Sequence, residues 1–220
     1  MEKYFPSEKI IFTGNPVRAE ISAKKDLNNA EAYKYFGLDA TKKTIAILGG
    51  SLGARTLNNI MSANLDFWKS HPDIQVIWQC GKFNFDNLKN SETAQLPNVK
   101  IMPFVQQMNF LYDCANAIIT RSGALTVSEL CIVGTPTIFV PSPNVAEDHQ
   151  TKNAMSLVSK KAAILVNENK AKVELSIQTF LLINDENRMR EISNNCKSLA
   201  KTNSTNIIAH EVLKLANYNL

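Results

Sequence analysis

The feature that most constrains this 220-residue chain is an alternation of short apolar runs with helix-length amphipathic segments. The runs are rich in β-branched residues and span residues 10–13, 44–48, 74–78, 99–102, 117–120, 137–140 and 163–166. Helical patterns lie between them at residues 54–68, 105–114, 124–133 and 148–159. Parallel strands need such crossover connections, and continuously apolar strands are buried on both faces. The pattern therefore predicts a Rossmann-like α/β fold, a doubly wound, mainly parallel sheet with helices on both faces.

The β-branched apolar runs stop after residue 166. Three helical patterns follow, at residues 173–183, 186–200 and 205–215, and residues 184–187 (NDEN) offer N-cap candidates between the first two. No internal repeat or Pro/Gly-rich linker divides the sequence. We therefore predict a single domain over residues 1–220, with an opening strand and interdomain segment at 1–18 and a helical C-terminal tail at 170–220.

Composition narrows the classes of function. A net charge of +4 is compatible with an anionic ligand or lipid, and an ordinary soluble enzyme explains it equally well. The four cysteines form no CxxC pair and the three histidines do not cluster with them, so no zinc site is expected. No stretch approaches the ~20 apolar residues of a membrane-spanning helix, so any membrane contact is expected to be peripheral.

A loop of small residues, LGGSLGA at residues 48–54, directly follows the predicted strand at residues 44–48. Gly50 and Gly53 permit positive φ and a close approach of the backbone to a ligand, and Ser51 adds a hydroxyl. A helix after this loop would direct free N–H groups and partial positive charge at an anion. The spacing matches neither a Walker loop nor a GxGxxG fingerprint. A phosphate-binding loop and a tight structural turn both explain the pattern.

A second such loop, RSGALTVSE at residues 121–129, follows the predicted strand at residues 117–120. Ser122 and Gly123 are candidate N-cap residues. Helical spacing places Glu129 on the same face as Leu125 and Thr126. A carboxylate there can accept hydrogen bonds from a ribose diol, or it can simply favour the positive end of its own helix.

A third segment, EDHQTKN at residues 147–153, follows the predicted strand at residues 137–140. Gln150 can read sugar hydroxyls, because its amide group both donates and accepts hydrogen bonds. A solvated helix start explains the same residues.

These three segments, together with GNPVR at residues 14–18, resemble the MurG family of bacterial glycosyltransferases. The family carries GNPVR, GGSxGA, RSGALTxSE and HQxxNA, and all four motifs occur here in that order. The resemblance implies the C-terminal half of a GT-B transferase, whose active site lies in the cleft between two Rossmann-like halves. It implies that this half binds the donor, UDP-N-acetylglucosamine, in the peptidoglycan-synthesis step that converts lipid I to lipid II.

The resemblance also implies roles for individual residues. Arg18 and Ser51 would face the diphosphate, and the main chain of Val105 would contact the uracil. Glu129 would hold the ribose and Gln150 the sugar. The start of the helix that lines the nucleotide would comprise Ala124, Leu125, Thr126, Val127 and Ser128. Further contacts are expected from Gly50, Gly53, Arg121, Ser122, Gly123 and Asn153.

Two departures from the family pattern affect these assignments. Leu52 stands where many members have Gln, so the side-chain contact made from that position in those members is not expected here. The loop at residues 142–146 is slightly longer than the family pattern. The alignment of the residues before His149 with the family motif is therefore less well defined than the alignment of Gln150. No catalytic base is identifiable, since neither Asp148 nor His149 is favoured for that role. The sequence contains no Asp-x-Asp motif, so no metal cofactor is expected.

The family's N-terminal half, which binds the lipid-linked muramyl-pentapeptide acceptor and an anionic membrane surface, has no counterpart in this sequence. We therefore expect an isolated, soluble donor domain with little turnover alone, from an enzyme peripheral to the cytoplasmic face of the bacterial inner membrane. No nucleic-acid partner is expected. Alternative hypotheses are a non-catalytic nucleotide-sugar-binding subunit of a two-chain transferase and half of a UDP-sugar epimerase. A nicotinamide dehydrogenase is disfavoured, because the GxGxxG turn is lacking.

Overall fold

The fold is built on a six-stranded sheet in the order β3-β2-β1-β4-β5-β6, with every pairing parallel. The computed structural model describes residues 4–22, 29–50 and 52–216. Its strands are β1 (Lys43–Leu48), β2 (Ile74–Gln79), β3 (Val99–Met102), β4 (Ala117–Thr120), β5 (Thr137–Phe139) and β6 (Ile164–Leu165). This arrangement confirms the predicted doubly wound fold and has the strand order of dinucleotide-binding domains.

Helices cover both faces of the sheet. In chain order they are α1 (Ala19–Ser22), α2 (Ala30–Phe36), α3 (Arg55–Ala63), α4 (Leu65–Ser70), α5 (Lys82–Leu88), α6 (Met108–Cys114), α7 (Ala124–Val133), α8 (His149–Val158), α9 (Ala171–Ile183), α10 (Glu186–Ser198) and α11 (Ser204–Leu215). Two short 3-10 helices lie at Ser7–Lys9 and Ala146–Asp148. No helix in the described parts of the chain is long and apolar enough to cross a membrane.

The core consists of two apolar layers, one on each face. Consecutive residues of β1 point to opposite sides, so Ile45 and Ile47 enter one layer and Ala46 and Leu48 the other. The first layer is closed by α3, α4, α5 and α9, and the second by α1, α2, α6, α7 and α8. Helices α3 and α7 therefore lie on opposite faces of the sheet, which matters for the site described below.

The structure corrects the sequence-based prediction of secondary structure in three places. Residues 10–13 form no strand, because Ile11 and Phe12 are exposed and pair with no neighbouring strand. The helix predicted at residues 54–68 is two helices, interrupted at Asn64, whose side-chain amide donates to the Ile60 carbonyl oxygen and ends the first. Helices α1, α2 and α5 are additional, since their four, seven and seven residues are too few for a clear amphipathic period.

Helices α9, α10 and α11 lie in the region predicted as a helical tail, and the first two of them belong to the core. Leu182 and Ile183 of α9 and Ile192 of α10 are buried in the first layer. The predicted cap is also confirmed, since the side chain of Asp185 accepts a hydrogen bond from the Arg188 N–H at 2.9 Å. Helix α11 is largely exposed.

Candidate functional site

The two small-residue loops meet at the carboxyl edge of the sheet, between β1 and β4. These strands are neighbours, and the Thr120 hydroxyl donates to the Leu48 carbonyl oxygen at 3.3 Å at their carboxyl ends. From this point the chain winds outward in both directions, to β2 and β3 on one side and to β5 and β6 on the other. In an open α/β sheet, this topological switch point is the crevice where ligands bind.

The turn between β1 and α3 is held by contact between main chains. At Gly53, where φ is +79°, an added Cβ would lie 2.3 Å from the Cys80 carbonyl oxygen. At Gly49 it would lie 2.6 Å from the Ala54 nitrogen. Gly50 also has positive φ, +77°, but apart from its neighbours in the chain no described residue lies within 4 Å of a Cβ added there. Close main-chain packing in a tight turn thus explains the glycines at Gly49 and Gly53. It does not explain Gly50, which borders open space.

The rest of this turn is partly described. Ser51, predicted to face a diphosphate, lies outside the described residues. Leu52 is exposed. The side-chain amide of Gln79 donates to the Gly50 carbonyl oxygen at 3.0 Å, and sequence reasoning missed this support because it comes from the next strand.

Helix α7 begins with free N–H groups. Its N-cap residue is Gly123, which has no side chain to cap the helix, and the Val127 N–H donates to the Gly123 carbonyl oxygen. The N–H groups of Ala124, Leu125 and Thr126 have no acceptor among the described residues. Helix α3 likewise follows Ala54 without a side-chain cap. Both helix ends therefore present unpaired donors and partial positive charge at the carboxyl edge.

A fixed carboxylate lies in the middle of α7. Glu129 is only 6 % exposed, and its Oε2 accepts a hydrogen bond from the Tyr112 hydroxyl at 2.9 Å. Burial, followed by the neighbouring Glu129 charge, raises the pKa of Tyr112 well above its usual value, so Tyr112 remains a neutral donor. Tyr112 was not predicted from the sequence, because no local motif connects it with a residue on another helix.

The GNPVR segment docks on α7. The side-chain amide of Asn15 donates to the Ser128 hydroxyl at 2.9 Å and approaches the Ala124 carbonyl oxygen at 3.4 Å. Arg18 Nη2 lies 3.5 Å from Glu129 Oε1, and the Arg18 side chain is 55 % exposed. The structure thus places Arg18 beside the predicted ribose carboxylate through a single long contact.

The third segment is joined to the second by two partly buried hydrogen bonds. The Ser122 hydroxyl donates to the Gln150 carbonyl oxygen at 2.7 Å, and the Asn153 amide donates to the Ser122 carbonyl oxygen at 3.0 Å. The Gln150 side-chain oxygen accepts from the Ser142 N–H at 2.9 Å, while its amide nitrogen has no acceptor among the described residues. Ser122 and Asn153 therefore stabilise the site. The side-chain amide of Gln150 keeps N–H groups that can donate hydrogen bonds to another group.

The turn before Gln150 has an unusual backbone. Glu147 and Asp148 both have positive φ, 53° and 49°, a conformation that costs a non-glycine residue about 1–3 kcal/mol. His149 Nδ1 lies 2.9 Å from the Ala146 carbonyl oxygen within the same turn. Such strain concentrates at functional sites, and nothing in the sequence indicated it.

Two further predicted residues lie elsewhere on the carboxyl edge. Val105, after β3, has a buried side chain, and its main-chain N–H and C=O have no hydrogen-bond partner among the described residues. Arg121, directly after β4, donates to the Val140 carbonyl oxygen at 2.7 Å and forms an ion pair with Glu168. Arg121 is therefore engaged by the protein itself.

Comparison with known proteins shows the family to which the chain belongs. The model of the glycosyltransferase family 28 C-terminal domain matches residues 44–212. The chain belongs to this family. It is 47% identical, over 98% of its length, to the UDP-N-acetylglucosamine–N-acetylmuramyl-(pentapeptide) pyrophosphoryl-undecaprenol N-acetylglucosamine transferase of Flavobacterium psychrophilum. It is 45% identical, over 98% of its length, to the Bacteroides thetaiotaomicron enzyme of the same name. The chain spans 58% of the length of each of these relatives.

Solved structures agree with the predicted resemblance. The crystal structure of MurG from Acinetobacter baumannii matches with a TM-score of 0.70 and 27% identity, covering 96% of this chain and 58% of that one. The similarity to the MurG family is thereby confirmed. A UDP-GlcNAc 2-epimerase from Neisseria meningitidis, bound to UDP-GlcNAc, matches with a TM-score of 0.69 and 18% identity, covering 97% of this chain and 57% of that one. At that identity the match shows a shared fold alone.

Proposed function

We propose that this chain is the UDP-N-acetylglucosamine-binding domain of an inverting N-acetylglucosaminyltransferase that converts lipid I to lipid II in peptidoglycan synthesis. One observation carries the proposal: the uncapped first turns of α3 and α7 meet at the switch point, with the buried Glu129 carboxylate in α7. Free helix N–H groups suit a diphosphate, and a fixed carboxylate suits a ribose diol. The names of the relatives support the choice of sugar and acceptor.

The diphosphate would lie against the first turn of α7, near Gly50 and Ser51. An ionised carboxylate offers about four acceptor positions, so Glu129 can serve a ribose diol while it accepts from Tyr112. The single long contact of Arg18 leaves it free to be recruited by phosphate. The unpaired N–H and C=O of Val105 complement the acceptor and donor of a uracil imide. The free amide donor of Gln150 would bind the sugar.

In the proposed reaction, the acceptor hydroxyl attacks the anomeric carbon and UDP departs with the bonding electrons. Negative charge then develops on the diphosphate. Preorganised donors aimed at such charge are worth about 3–4 kcal/mol each at good sites, and the N–H groups of α7 with Arg18 would supply them. We propose that these groups take the place of a metal cation. Neither Asp148 nor His149 is favoured as the general base that takes the proton of the acceptor hydroxyl.

The proposed roles of the lipid-linked acceptor and of the membrane rest on the similarity to the relatives. Because the chain spans 58% of their length, we assign the lipid-linked acceptor and the contact with the cytoplasmic membrane face to the part of such enzymes that this chain does not match. The chain alone would then bind donor but transfer little. Robust transfer to lipid acceptor by this chain alone would contradict the assignment of acceptor binding to another part of the enzyme.

Calorimetric titration tests donor binding directly. The purified chain is titrated with UDP-N-acetylglucosamine, UDP-N-acetylgalactosamine, UDP and NADH, each with and without a chelator. We expect UDP-N-acetylglucosamine to bind equally well with chelator, and NADH to give no heat. A folded chain that binds no uridine compound would contradict the proposal. Conversion of the bound sugar without any acceptor would instead indicate an epimerase.

A further inference from the structure

We infer that Arg121 and Glu168 form a positioning device that holds the first turn of α3 in register with the first turn of α7. The inference rests on the proposed function, since it concerns how the helix ends assigned to the diphosphate are held. It gives Arg121 a role different from the direct ligand contact expected from its place in the motif.

The side chain of Arg121 connects the carboxyl ends of β4, β5 and β6. Arg121 directly follows β4, and its Nη1 donates to the carbonyl oxygen of Val140, which directly follows β5. The same guanidinium forms an ion pair with Glu168, in the loop after β6. A planar guanidinium with several fixed donors can make both contacts at once, whereas a lysine ammonium is less suited to this geometry.

The connection continues onto the opposite face of the sheet. Glu168 Oε1 accepts a hydrogen bond from the Thr56 hydroxyl at 3.1 Å, and Thr56 is the second residue of α3. A chain of polar contacts therefore runs from the start of the β4–α7 loop, through Glu168, to the first turn of α3. Helices α3 and α7 lie on opposite faces, so this polar chain links their first turns in addition to the pairing of β1 with β4.

Partial burial makes this bridge effective. The side chains of Arg121 and Glu168 are 17% and 20% exposed, so solvent and salt screen their attraction less than in a surface pair. The favourable field of a helix end falls off within its first turn. A small displacement of either helix end should therefore weaken diphosphate binding and leave uracil and ribose contacts intact.

The test separates phosphate binding from nucleoside binding. Affinities for UDP and for uridine are measured by calorimetry for Glu168→Gln and Arg121→Lys. We expect UDP affinity to fall roughly tenfold in each, because misplacing binding groups by a fraction of an ångström has large effects, with uridine affinity unchanged. The control is Glu191→Gln, which removes an exposed ion pair with Lys161 and should change neither affinity.

A second variant guards against misfolding. Thr56→Val removes one hydroxyl and leaves the ion pair in place, and in combination with Glu168→Gln it should add little to the loss of UDP affinity. Thermal unfolding of every variant confirms that it is folded. Unchanged UDP affinity in Glu168→Gln and Arg121→Lys would overturn the inference, as would equal losses for UDP and uridine. A folded wild-type chain that binds no uridine compound would instead remove the proposed function, and the inference with it.

Discussion

The β1–α3 turn and the β4–α7 turn open onto the same crevice, yet they hold their shapes by different means. The first depends on main chains in direct contact, where Gly53 leaves no room for a Cβ beside the Cys80 carbonyl. The second depends on side chains, where Ser122 and Asn153 anchor it to α8 and Arg121 anchors it to β5 and the loop after β6. The first turn should therefore be most sensitive to atoms added at Gly49 and Gly53, and the second to the loss of side-chain hydrogen bonds.

The comparison also separates two ways of supporting a binding site. A glycine turn can bring its N–H groups close to a ligand by omitting side chains, as we propose for Gly50. A polar turn brings a helix end into position by hydrogen bonds from elsewhere in the chain, and residues such as Glu129 are proposed to contact the ligand. Substitutions of residues that hold either turn should accordingly lower the free energy of unfolding, whereas loss of the Glu129 carboxylate should lower the affinity for UDP.

The largest expected effect is on stability, from Gly53→Ala. A Cβ there combines positive φ with a 2.3 Å contact to a main-chain oxygen, so we expect the free energy of unfolding to fall by ~3 kcal/mol or more. The matched control is Gly50→Ala in the same turn, with similar φ and open space around the Cβ, which should cost about 1 kcal/mol. Denaturant unfolding measures both. Equal costs would show that main-chain contact does not hold this turn.

The next effect is on binding, from Glu129→Ala in α7. Loss of a hydrogen-bonded charge should weaken UDP binding by ~1.5–3 kcal/mol, measured by calorimetry. Glu174→Ala, which removes a more exposed carboxylate of α9, is the control and should bind UDP normally. Normal UDP affinity in Glu129→Ala would disprove the ribose assignment.

The smallest of the three effects is expected from Ser122→Ala. The fully buried Ser122 hydroxyl donates to the Gln150 carbonyl oxygen, and leaving that acceptor unpaired should cost about 1–2 kcal/mol of unfolding free energy. Ser156→Ala removes an exposed hydroxyl that bonds only within its own helix turn, and it should change stability by less than ~0.5 kcal/mol. If the two alanine variants unfold alike, side-chain hydrogen bonds do not hold the second turn.

Much of the fold could be predicted because its signals are local. Strands β3 and β4 and helix α7 have the predicted boundaries, since buried parallel strands are continuously apolar and α7 lies between two glycines, Gly123 and Gly134. The strand predicted at residues 10–13 was wrong because apolarity alone does not indicate a neighbouring strand to pair with. Helices of seven residues, such as α2 and α5, are too short to show a period.

The sequence by itself determined the alternation of strands and helices, the positions of the small-residue loops and the family motifs, because each depends on neighbouring residues. Tertiary structure alone decided which glycine borders open space, that Tyr112 holds Glu129, and that Arg121 engages Glu168. The hydrogen bond between Thr56 and Glu168 joins positions 112 residues apart. Such contacts depend on how the sheet brings distant loops to one edge, and no local pattern of residues encodes that distance.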